Sequence, residues 1–356
     1  MKKVLTCTGI RPDFIRMSEV FRKLDAEFDH ILVHTGQHYD QNLSDIFFKD
    51  LDIRKPDYNL SVGAPDKPHY EQVADLSVKL TKLCLQEKPD LIIFLGDSNS
   101  VLASIPLKKE GFKVAHIEAG MRSWDSRMLE EVNRVACDHV SDLLFVYHNN
   151  YRMNLVNENI NRKKIHVVGN TIVETLRNIA DIEYRPPPQH IILDIHRPEN
   201  FKYKNRMSNI LYSARQFKEI FGLPVKMLSF PRTEQAICNF RLDMTDVERI
   251  PMMGYKDYIK FQQESLFIYS DSGTAQDEPC LLGKPAIVPR DYTERPESCT
   301  TDCSRMIGVE MENFYEQVLA AAEWIQSHSP AFRGDTSWLG DGTTSQKIVD
   351  VIKKSI

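Results

Sequence analysis

Short apolar runs alternate with longer amphipathic segments from one end of the chain to the other. An apolar run bounded by turn residues indicates a buried strand, and apolar residues at every third or fourth position indicate a helix. The predicted strands are Val4–Cys7, Ile31–His34, Leu91–Leu95, Val114–Glu118, Leu143–Tyr147, Ile165–Val168, His190–Ile195, Val225–Leu228, Leu266–Ser270 and Ala286–Val288. The predicted helices include Phe14–Ala26, Tyr70–Gln86, Arg127–Asp138, Asn205–Phe221, Thr274–Leu282, Phe314–Gln326 and Thr343–Ile356. This alternation predicts an α/β fold in which parallel sheets carry helices on both faces.

The chain has one clear break, at residues 183–189, where three consecutive prolines cannot continue a helix. We therefore predict two Rossmann-like doubly wound domains, residues 1–185 and 186–340, facing each other across a cleft. Residues 341–356 are predicted to form a helix that packs back on the N-terminal domain. In doubly wound sheets, ligands bind beyond the carboxyl ends of the strands.

Composition limits the possible functions. The 356 residues are 42% hydrophobic and 27% charged, with a formal net charge of −5, which disfavours nucleic acid or an anionic membrane as partner. No apolar run approaches the ~20 residues that span a bilayer, and the N-terminal apolar stretch is too short for a signal peptide. A cytoplasmic protein is expected. Cys299 and Cys303 lack a second pair with metal-ligand spacing, so no metal site is predicted.

The most informative segment is residues 271–278, Asp-Ser-Gly-Thr-Ala-Gln-Asp-Glu, which follows a predicted strand. A strand, a small-residue turn and a helical segment together present backbone N–H groups to a phosphate. Asp277 and Glu278 come one turn later, where carboxylates can accept hydrogen bonds from ribose hydroxyls. The segment therefore predicts binding of a nucleotide diphosphate.

Three carboxylates follow strand or helix ends in the first half of the chain. Asp97 and Glu118 end two predicted strands, and Glu131 opens a helix. If these ends converge, like charges raise one another's pKa and supply acid/base groups near neutral pH. Structural alternatives exist as well: Asp97 can cap a helix, and Glu130 or Glu131 can pair with Arg134 at helical spacing.

Further candidates lie in both halves. Arg11 and Arg16 follow the first strand as anion donors, and His196 at a strand end can be a catalytic imidazole or a phosphate donor. The reaction centre is expected between the domains. Carboxylates and an imidazole beside a nucleotide diphosphate suggest chemistry on the sugar of a nucleotide sugar. The two candidate functions are then a glycosyltransferase and a proton-transfer enzyme, and the presence of three acids favours the proton-transfer enzyme.

The ordered motifs of the chain resemble those of one family. They are Gly9-x-Arg11-Pro12, Gly96-Asp97, His116-Ile117-Glu118-Ala119-Gly120-Met121-Arg122, Glu130-Glu131-x-Asn133-Arg134, Gly169-Asn170-Thr171, His196-Arg197-x-Glu199-Asn200, Asp271-Ser272-Gly273, Gly283-Lys284-Pro285 and Glu294-Arg295-Pro296-Glu297. In order and extent they are similar to the non-hydrolysing UDP-N-acetylglucosamine (UDP-GlcNAc) 2-epimerases.

The resemblance implies a glycosyltransferase-B-like fold, a homodimer, and interconversion of UDP-GlcNAc with UDP-N-acetylmannosamine (UDP-ManNAc) without a redox cofactor or metal. It further implies removal of the C2 proton, expulsion of UDP to leave a glycal, and re-addition of UDP. By motif, the implied acid/base residues are Asp97, Glu118, Glu131 and His196. The implied UDP-sugar contacts are Arg11, Arg16, Arg122, Asn170, Arg197, Ser272, Gly273, Glu278 and Arg295. The resemblance assigns the diphosphate to Arg11, His196, Ser272 and Gly273 and the ribose to Glu278, and it places Arg295 near the sugar.

The chain departs from the family pattern at several positions. Thr274 and Asp277 replace a Gly and a Glu, and Arg16 replaces a common Lys. Gln37, His38 and Gln41 match the loop of an allosteric substrate site, but Phe230 stands where that site has a His. Thr274, residues 96–100 and residues 231–232 look closer to the branch that forms UDP-L-FucNAc, a 6-deoxy sugar nucleotide. A hydrolysing epimerase and a UDP-sugar glycosyltransferase remain as further alternatives.

Overall fold

The computed structural model describes residues 1–36, 50–64, 67–310, 312–328 and 331–356. The chain folds into two compact units. The first unit contains Met1–Ile179 together with Ser337–Ile356, and the second contains Ala180–Thr336.

The first unit is built on a parallel sheet of seven strands among the described residues, in the order β3-β2-β1-β4-β5-β6-β7. The strands are β1 (Lys3–Thr8), β2 (Asp29–His34), β3 (Tyr58–Asn59), β4 (Leu91–Leu95), β5 (Val114–Ile117), β6 (Leu143–Val146) and β7 (Ile165–Val167). The residues of β4, β5 and β6 are all buried, because helices cover both faces of the sheet. The strand order reverses between β1 and β4, which is where a doubly wound sheet binds its ligand.

Helices connect these strands. They are α1 (Arg11–Glu27), α2 (His69–Glu87), α3 (Ser104–Lys109), α4 (Leu129–Val140), α5 (Asn149–Asn157), α6 (Ile172–Ile179) and, from the C-terminus, α14 (Thr344–Ser355), with 3₁₀ turns at Asn99–Ala103, Arg162–Lys164 and Ser337–Leu339. The C-terminal helix α14 packs on α1 and buries Ile348, Val349 and Ile352 completely.

The returning chain approaches the first unit closely at two glycines. Gly340 has φ +95°, and a Cβ on it would lie 2.9 Å from the α-carbon of Gly169, which has φ +91°. The backbone N–H of Asn170 donates to the carbonyl of Leu339 over 2.7 Å. Any side chain at residue 340 would push these two segments apart.

The second unit repeats the architecture with six parallel strands within the described ranges, in the order β10-β9-β8-β11-β12-β13. The strands are β8 (His190–Asp194), β9 (Val225–Leu228), β10 (Val247–Ile250), β11 (Ser265–Ser270), β12 (Ala286–Val288) and β13 (Ser304–Met306). The helices are α7 (Pro198–Phe201), α8 (Lys204–Phe221), α9 (Pro231–Phe240), α10 (Tyr255–Gln263), α11 (Glu278–Leu281), α12 (Pro296–Thr300) and α13 (Phe314–Ser327). Its strand order reverses between β8 and β11.

The predicted α/β class with two Rossmann-like sheets is confirmed, and every predicted strand is present. The single helix predicted over Thr274–Leu282 is wrong. The segment forms a 3₁₀ turn, Thr274–Gln276, followed by the four-residue helix α11. Pro279 lies in the first turn of α11 and has no N–H to donate back into a continuous helix. Among the described residues, no helix is both long and apolar enough to span a bilayer.

Candidate functional site

Several of the predicted site residues lie at the two places where the strand order reverses. In the first unit, β1 leads into Arg16 on α1, and β4 leads into Asp97. In the second unit, β8 leads into His196, and β11 into Asp271 and Ser272.

Glu118 directly follows β5 and is almost fully buried. Its backbone has φ +69°, a left-handed conformation that is uncommon for a residue with a side chain and is frequent at functional sites. The guanidinium of Arg16 donates to its carboxylate, and the hydroxyl of Tyr147 lies 3.3 Å from the same oxygen. Arg16 and Glu118, predicted from two separate strand ends, are therefore in direct contact.

Asp13 is a second buried carboxylate beside Arg16. One of its oxygens accepts hydrogen bonds from the backbone N–H groups of Gly9 and Ile10, each with a length of 3.3 Å. The other oxygen lies 3.6 Å from the Arg16 guanidinium. Burial raises the pKa of Asp13 to about 7, although Arg16 and the two backbone donors oppose the shift. The negative charge of Glu118 adds to the increase.

Asp97 and Glu131 meet at the guanidinium of Arg134. One Nη donates to Asp97, and the other donates to Glu131 over 2.6 Å. Glu131 also accepts from the backbone N–H groups of Ser123 and Trp124 at 3.1 and 3.2 Å. The structural alternative for Glu131, pairing with Arg134, is confirmed, and the same arginine holds Asp97 beside it.

Arg122 lies in a different cluster, buried behind β5. Its guanidinium donates to Glu158 over 2.7 Å and to Asp138 over 2.8 Å, and only 1% of its side chain is exposed. Asp138 also contacts Nδ1 of His116 at 2.7 Å and accepts from the backbone N–H of Gly120. This cluster therefore fixes the backbone on both sides of Glu118.

His116 in this cluster is an imidazolium. Its Nδ1 faces the Asp138 carboxylate and its Nε2 faces the carbonyl oxygen of Gly96, each at 2.7 Å. Both partners are acceptors, so both nitrogens must donate. Burial lowers the pKa of His116, but Cys137 and Asp138 raise it well above its ordinary value. Because Gly96 precedes Asp97, the ring connects the end of β4 to the segment that carries Glu118.

In the second unit, the buried carboxylate of Asp271 organises the turn after β8. It accepts from the backbone N–H groups of His196 and Arg197 at 3.0 and 3.1 Å, and from the side chain of Asn200 at 3.0 Å. The turn that carries His196 and Arg197 is therefore tied to the end of β11. Burial raises the pKa of Asp271, with His196 opposing the shift.

His196 also contacts Asp194, the last residue of β8. Its Nδ1 lies 2.9 Å from one Asp194 oxygen, while Ser270 donates to the other oxygen over 3.1 Å. The ring of Phe230 lies against the imidazole, with centroids 4.9 Å apart. Burial lowers the pKa of His196, but Asp194 and Asp271 raise it above the ordinary value.

The turn after β11 leaves no space for a side chain at Gly273. A Cβ there would lie 2.6 Å from Nη1 of Arg295 and 2.8 Å from Oε1 of Glu294. Arg295 is buried under the turn and donates to Asp277 over 2.8 Å. The hydroxyl of Ser272 lies 3.0 Å from that of Thr274. The backbone of Ser272 and Gly273 thus runs directly over a buried charged pair.

Glu278 opens α11 and is buried against α10. It accepts from the hydroxyl of Tyr255 over 2.9 Å and from the amide of Gln262 over 3.2 Å. Asp277 pairs with Arg295 instead, so the two adjacent carboxylates that were predicted as hydroxyl acceptors have different partners.

The remaining predicted residues have other positions. Asn170 is buried where the C-terminal segment returns, and its side chain accepts from the N–H of Ile172 over 3.0 Å. Gln37, His38 and Gln41 lie outside the described residues, as does the side chain of Arg11.

Pattern analysis missed four buried charged residues that hold the predicted ones in place, namely Asp13, His116, Asp138 and Asp194. Asp194 and His116 had a detectable signal, because each interrupts an otherwise apolar strand just before a predicted site residue. Asp138 had no such signal, because an aspartate in a predicted helix is ordinarily solvent-exposed.

Known proteins resemble this chain over almost its whole length. A family model described as UDP-N-acetylglucosamine 2-epimerase matches residues 22–353. A UDP-N-acetylglucosamine 2-epimerase of Methanocaldococcus jannaschii is 33% identical over 369 residues, covering 98% of each chain. A UDP-2,3-diacetamido-2,3-dideoxy-D-glucuronate 2-epimerase of Pseudomonas aeruginosa is also 33% identical, covering 99% of each chain.

The fold has a solved counterpart as well. The crystal structure of the M. jannaschii UDP-GlcNAc 2-epimerase in complex with UDP-GlcNAc and UDP superposes with a TM-score of 0.89. That comparison covers 99% of this chain and 100% of the other, at 32% identity.

Proposed function

Because the chain belongs to the UDP-N-acetylglucosamine 2-epimerase family, we propose that it is a non-hydrolysing 2-epimerase acting on a UDP-N-acetylhexosamine. The proposed reaction interconverts UDP-GlcNAc and UDP-ManNAc, as a supply for cell-surface polysaccharide synthesis. The observation that carries the proposal is Glu118, a buried carboxylate on left-handed backbone at a strand end, with Arg16 and Tyr147 at its oxygens.

The proposed chemistry divides the work between the units. A carboxylate of the first unit takes the C2 proton, and the C–H electron pair forms the C1–C2 double bond. The C1–O bond breaks and its electron pair leaves with UDP. A proton is then delivered to the opposite face of C2, and UDP adds back at C1. Two proton transfers on opposite faces require more than one acid/base group, which Asp97, Glu118 and Glu131 supply.

The second unit is proposed to hold UDP. The proposed donors for the diphosphate are the hydroxyl of Ser272, the backbone N–H of Gly273, and the side chains of His196 and Arg197. The backbone N–H of Ser272 itself donates to the hydroxyl of Ser270 over a distance of 3.0 Å. Glu278, whose carboxylate is fixed by Tyr255 and Gln262, is proposed to accept from the ribose hydroxyls. Arg295, which lies beneath Gly273, is proposed to hold that turn in position. Arg122 is proposed to hold Glu118 in position through the cluster that it shares with Asp138.

One observation favours a second candidate substrate. The P. aeruginosa relative, whose name specifies a modified sugar, is as similar to this chain as the M. jannaschii UDP-GlcNAc enzyme. A modified UDP-sugar is therefore the alternative substrate for the same reaction. The 6-deoxy sugar that gives UDP-L-FucNAc is one such candidate, and it rests only on the motif resemblance at Thr274, residues 96–100 and residues 231–232.

Proton NMR in deuterated water tests the proposal. With UDP-GlcNAc, the C2 proton signal is expected to disappear while an anomeric signal of UDP-ManNAc grows. Exchange only with a modified UDP-sugar would select the alternative substrate. Stoichiometric release of UDP with free N-acetylmannosamine would instead indicate a hydrolysing epimerase, and UDP release that needs an acceptor would indicate a glycosyltransferase. Lack of exchange with every UDP-N-acetylhexosamine tested would refute an epimerase.

A homodimer is proposed from the exposed apolar side chains of the first unit. The helices α2, α3 and α4 pack in a row, and each exposes apolar residues. Leu129 and Val132 on α4 are 69% and 67% exposed, and Val78 and Leu85 on α2 are 54% and 51% exposed. Several exposed apolar side chains on neighbouring helices are typical of a protein–protein interface.

Replacing Val132 with Asp is expected to convert the dimer into a monomer, because it puts a charge among apolar contacts. Light scattering should then report the chain mass of 41.1 kDa in place of twice that value. Met153→Asp, at a 49% exposed position on α5, is the matched control and should leave the mass unchanged. A wild-type protein of monomeric mass would refute the dimer.

A further inference from the structure

Asp194 and His196 form a hydrogen-bonded dyad at the point where the second sheet reverses its strand order. Only 6% of the Asp194 side chain is exposed, whereas the imidazole is 32% exposed. Besides the contact with Nδ1, Asp194 accepts from Ser270 over 3.1 Å and faces the hydroxyl of Tyr258 at 3.3 Å. Residues of three elements therefore fix this carboxylate.

The backbone of the dyad is fixed independently. Asp271 accepts from the N–H of His196, and one of its oxygens lies 3.7 Å from Nδ1. The charged groups that face the imidazole are thus Asp194 and Asp271, with Arg197 acting in the opposite direction. The uncharged ring of Phe230 also lies against the imidazole. Because two carboxylates outweigh one guanidinium, the surroundings of His196 favour the protonated, cationic form of its imidazole.

The contact at Nδ1 determines how the second ring nitrogen, Nε2, can interact with a ligand. Because Nδ1 faces a carboxylate, Nδ1 carries a proton and donates. Nε2 has no hydrogen-bond partner in the described part of the chain. In a neutral ring, Nε2 would present a lone pair and repel a phosphate oxygen. In an imidazolium, Nε2–H donates to that oxygen in a charge-assisted hydrogen bond.

We propose that Asp194 is a positioning residue that holds His196 as an imidazolium, whose Nε2–H donates to the diphosphate of the UDP-sugar. The proposal rests on the proposed function and deepens it. His196 then stabilises the negative charge that develops on UDP as the C1–O bond breaks, and it stays protonated throughout. Both proton transfers at C2 are left to the carboxylates of the first unit.

The dyad is tested first without any ligand. In protein with ¹⁵N-labelled histidine, the His196 signals are assigned by their loss in His196→Gln and then titrated with pH. Asp194→Asn, which keeps the shape and removes the charge, is expected to lower the His196 pKa by about one unit or more. Asp246→Asn, which removes an exposed charge of the same unit, should leave it unchanged. An unchanged His196 pKa in Asp194→Asn would overturn the proposal.

Binding of UDP provides the second readout. The dissociation constants of wild type and Asp194→Asn are compared by calorimetry at about pH 6 and about pH 8. The ionisation of UDP itself is common to both proteins, so the ratio of their constants reports on His196. We expect similar affinity at the lower pH and about tenfold weaker binding by the variant at the higher pH. Equal weakening at both pH values would overturn the proposal.

The two hypotheses fail in different ways. If wild-type protein binds no UDP at either pH, the nucleotide site of the proposed function is refuted, even where the histidine titration behaves as expected. If wild type binds UDP but the His196 pKa is the same in both proteins, only the dyad is refuted. Circular dichroism of Asp194→Asn verifies that the comparison is between folded proteins.

Discussion

Replacing Glu118 with Gln is expected to slow deuterium exchange at C2 of the sugar by about three orders of magnitude. Gln preserves the size of the side chain and an acceptor for Arg16, but it cannot take up a proton and has no negative charge. The strained backbone at residue 118 is the same in both proteins, so the fold should persist. The measurement is NMR exchange under saturating substrate, with thermal unfolding as the check on folding.

The same variant has a consequence that does not depend on activity. Because the charge of Glu118 contributes to the raised pKa of Asp13, that pKa is expected to fall in Glu118→Gln. A ¹³C titration of the Asp13 carboxyl group measures it. Glu110→Gln, an exposed carboxylate of the same unit, is the control for both readouts. Exchange within a factor of about ten of wild type would remove Glu118 from the acid/base set.

Replacing Asp138 with Asn is expected to lower the free energy of unfolding by about 3–5 kcal/mol. The substitution leaves the His116 imidazolium and the Arg122 guanidinium buried without their shared carboxylate. Urea denaturation measures the loss. Glu27→Gln breaks an exposed pair with Lys353 and should cost no more than about 1 kcal/mol. An equally small loss in both variants would show that the buried cluster contributes no special stability.

The stability lost in Asp138→Asn is expected to depend on pH, and the sign of that dependence follows from the pKa of His116. The pKa of His116 is raised in the folded state, so its interaction with Asp138 is fully present below the unfolded pKa of about 6.5 and is lost as pH rises through the folded pKa. The difference in stability between wild type and Asp138→Asn should therefore be larger at about pH 6 than at about pH 9. A difference that grows with pH would exclude a charged His116.

With the exception of β7, which lies at an edge of the first sheet, the strands that the hydrophobic pattern identified are those in the interior of the sheets. The three it missed, β3, β10 and β13, lie at sheet edges. Edge strands need fewer apolar residues because one side of the strand has no neighbour. β13 illustrates this with the sequence Ser-Arg-Met and a partly exposed surface. The pattern of apolar residues therefore predicts the centre of a sheet better than its boundaries.

For the candidate site, strand ends were the useful signal. They located Arg16, Asp97, Glu118 and His196, and the structure brings Arg16 into contact with Glu118. They could not show that Arg134 joins Asp97 to Glu131, since that contact depends on how α4 packs. Nor could they identify His116 as a cation, because its charge follows from two acceptors distant in sequence.

The discontinuous first unit also has a consequence for biosynthesis. Its closing helix, α14, is encoded after the whole of the second unit, which is contiguous from Ala180 to Thr336. During translation the second unit can thus complete its sheet while the earlier residues still lack the helix that packs on α1. The first unit therefore begins before the second and is completed after it. Until α14 has emerged from the ribosome, the apolar surface of α1 that α14 covers stays accessible to chaperones.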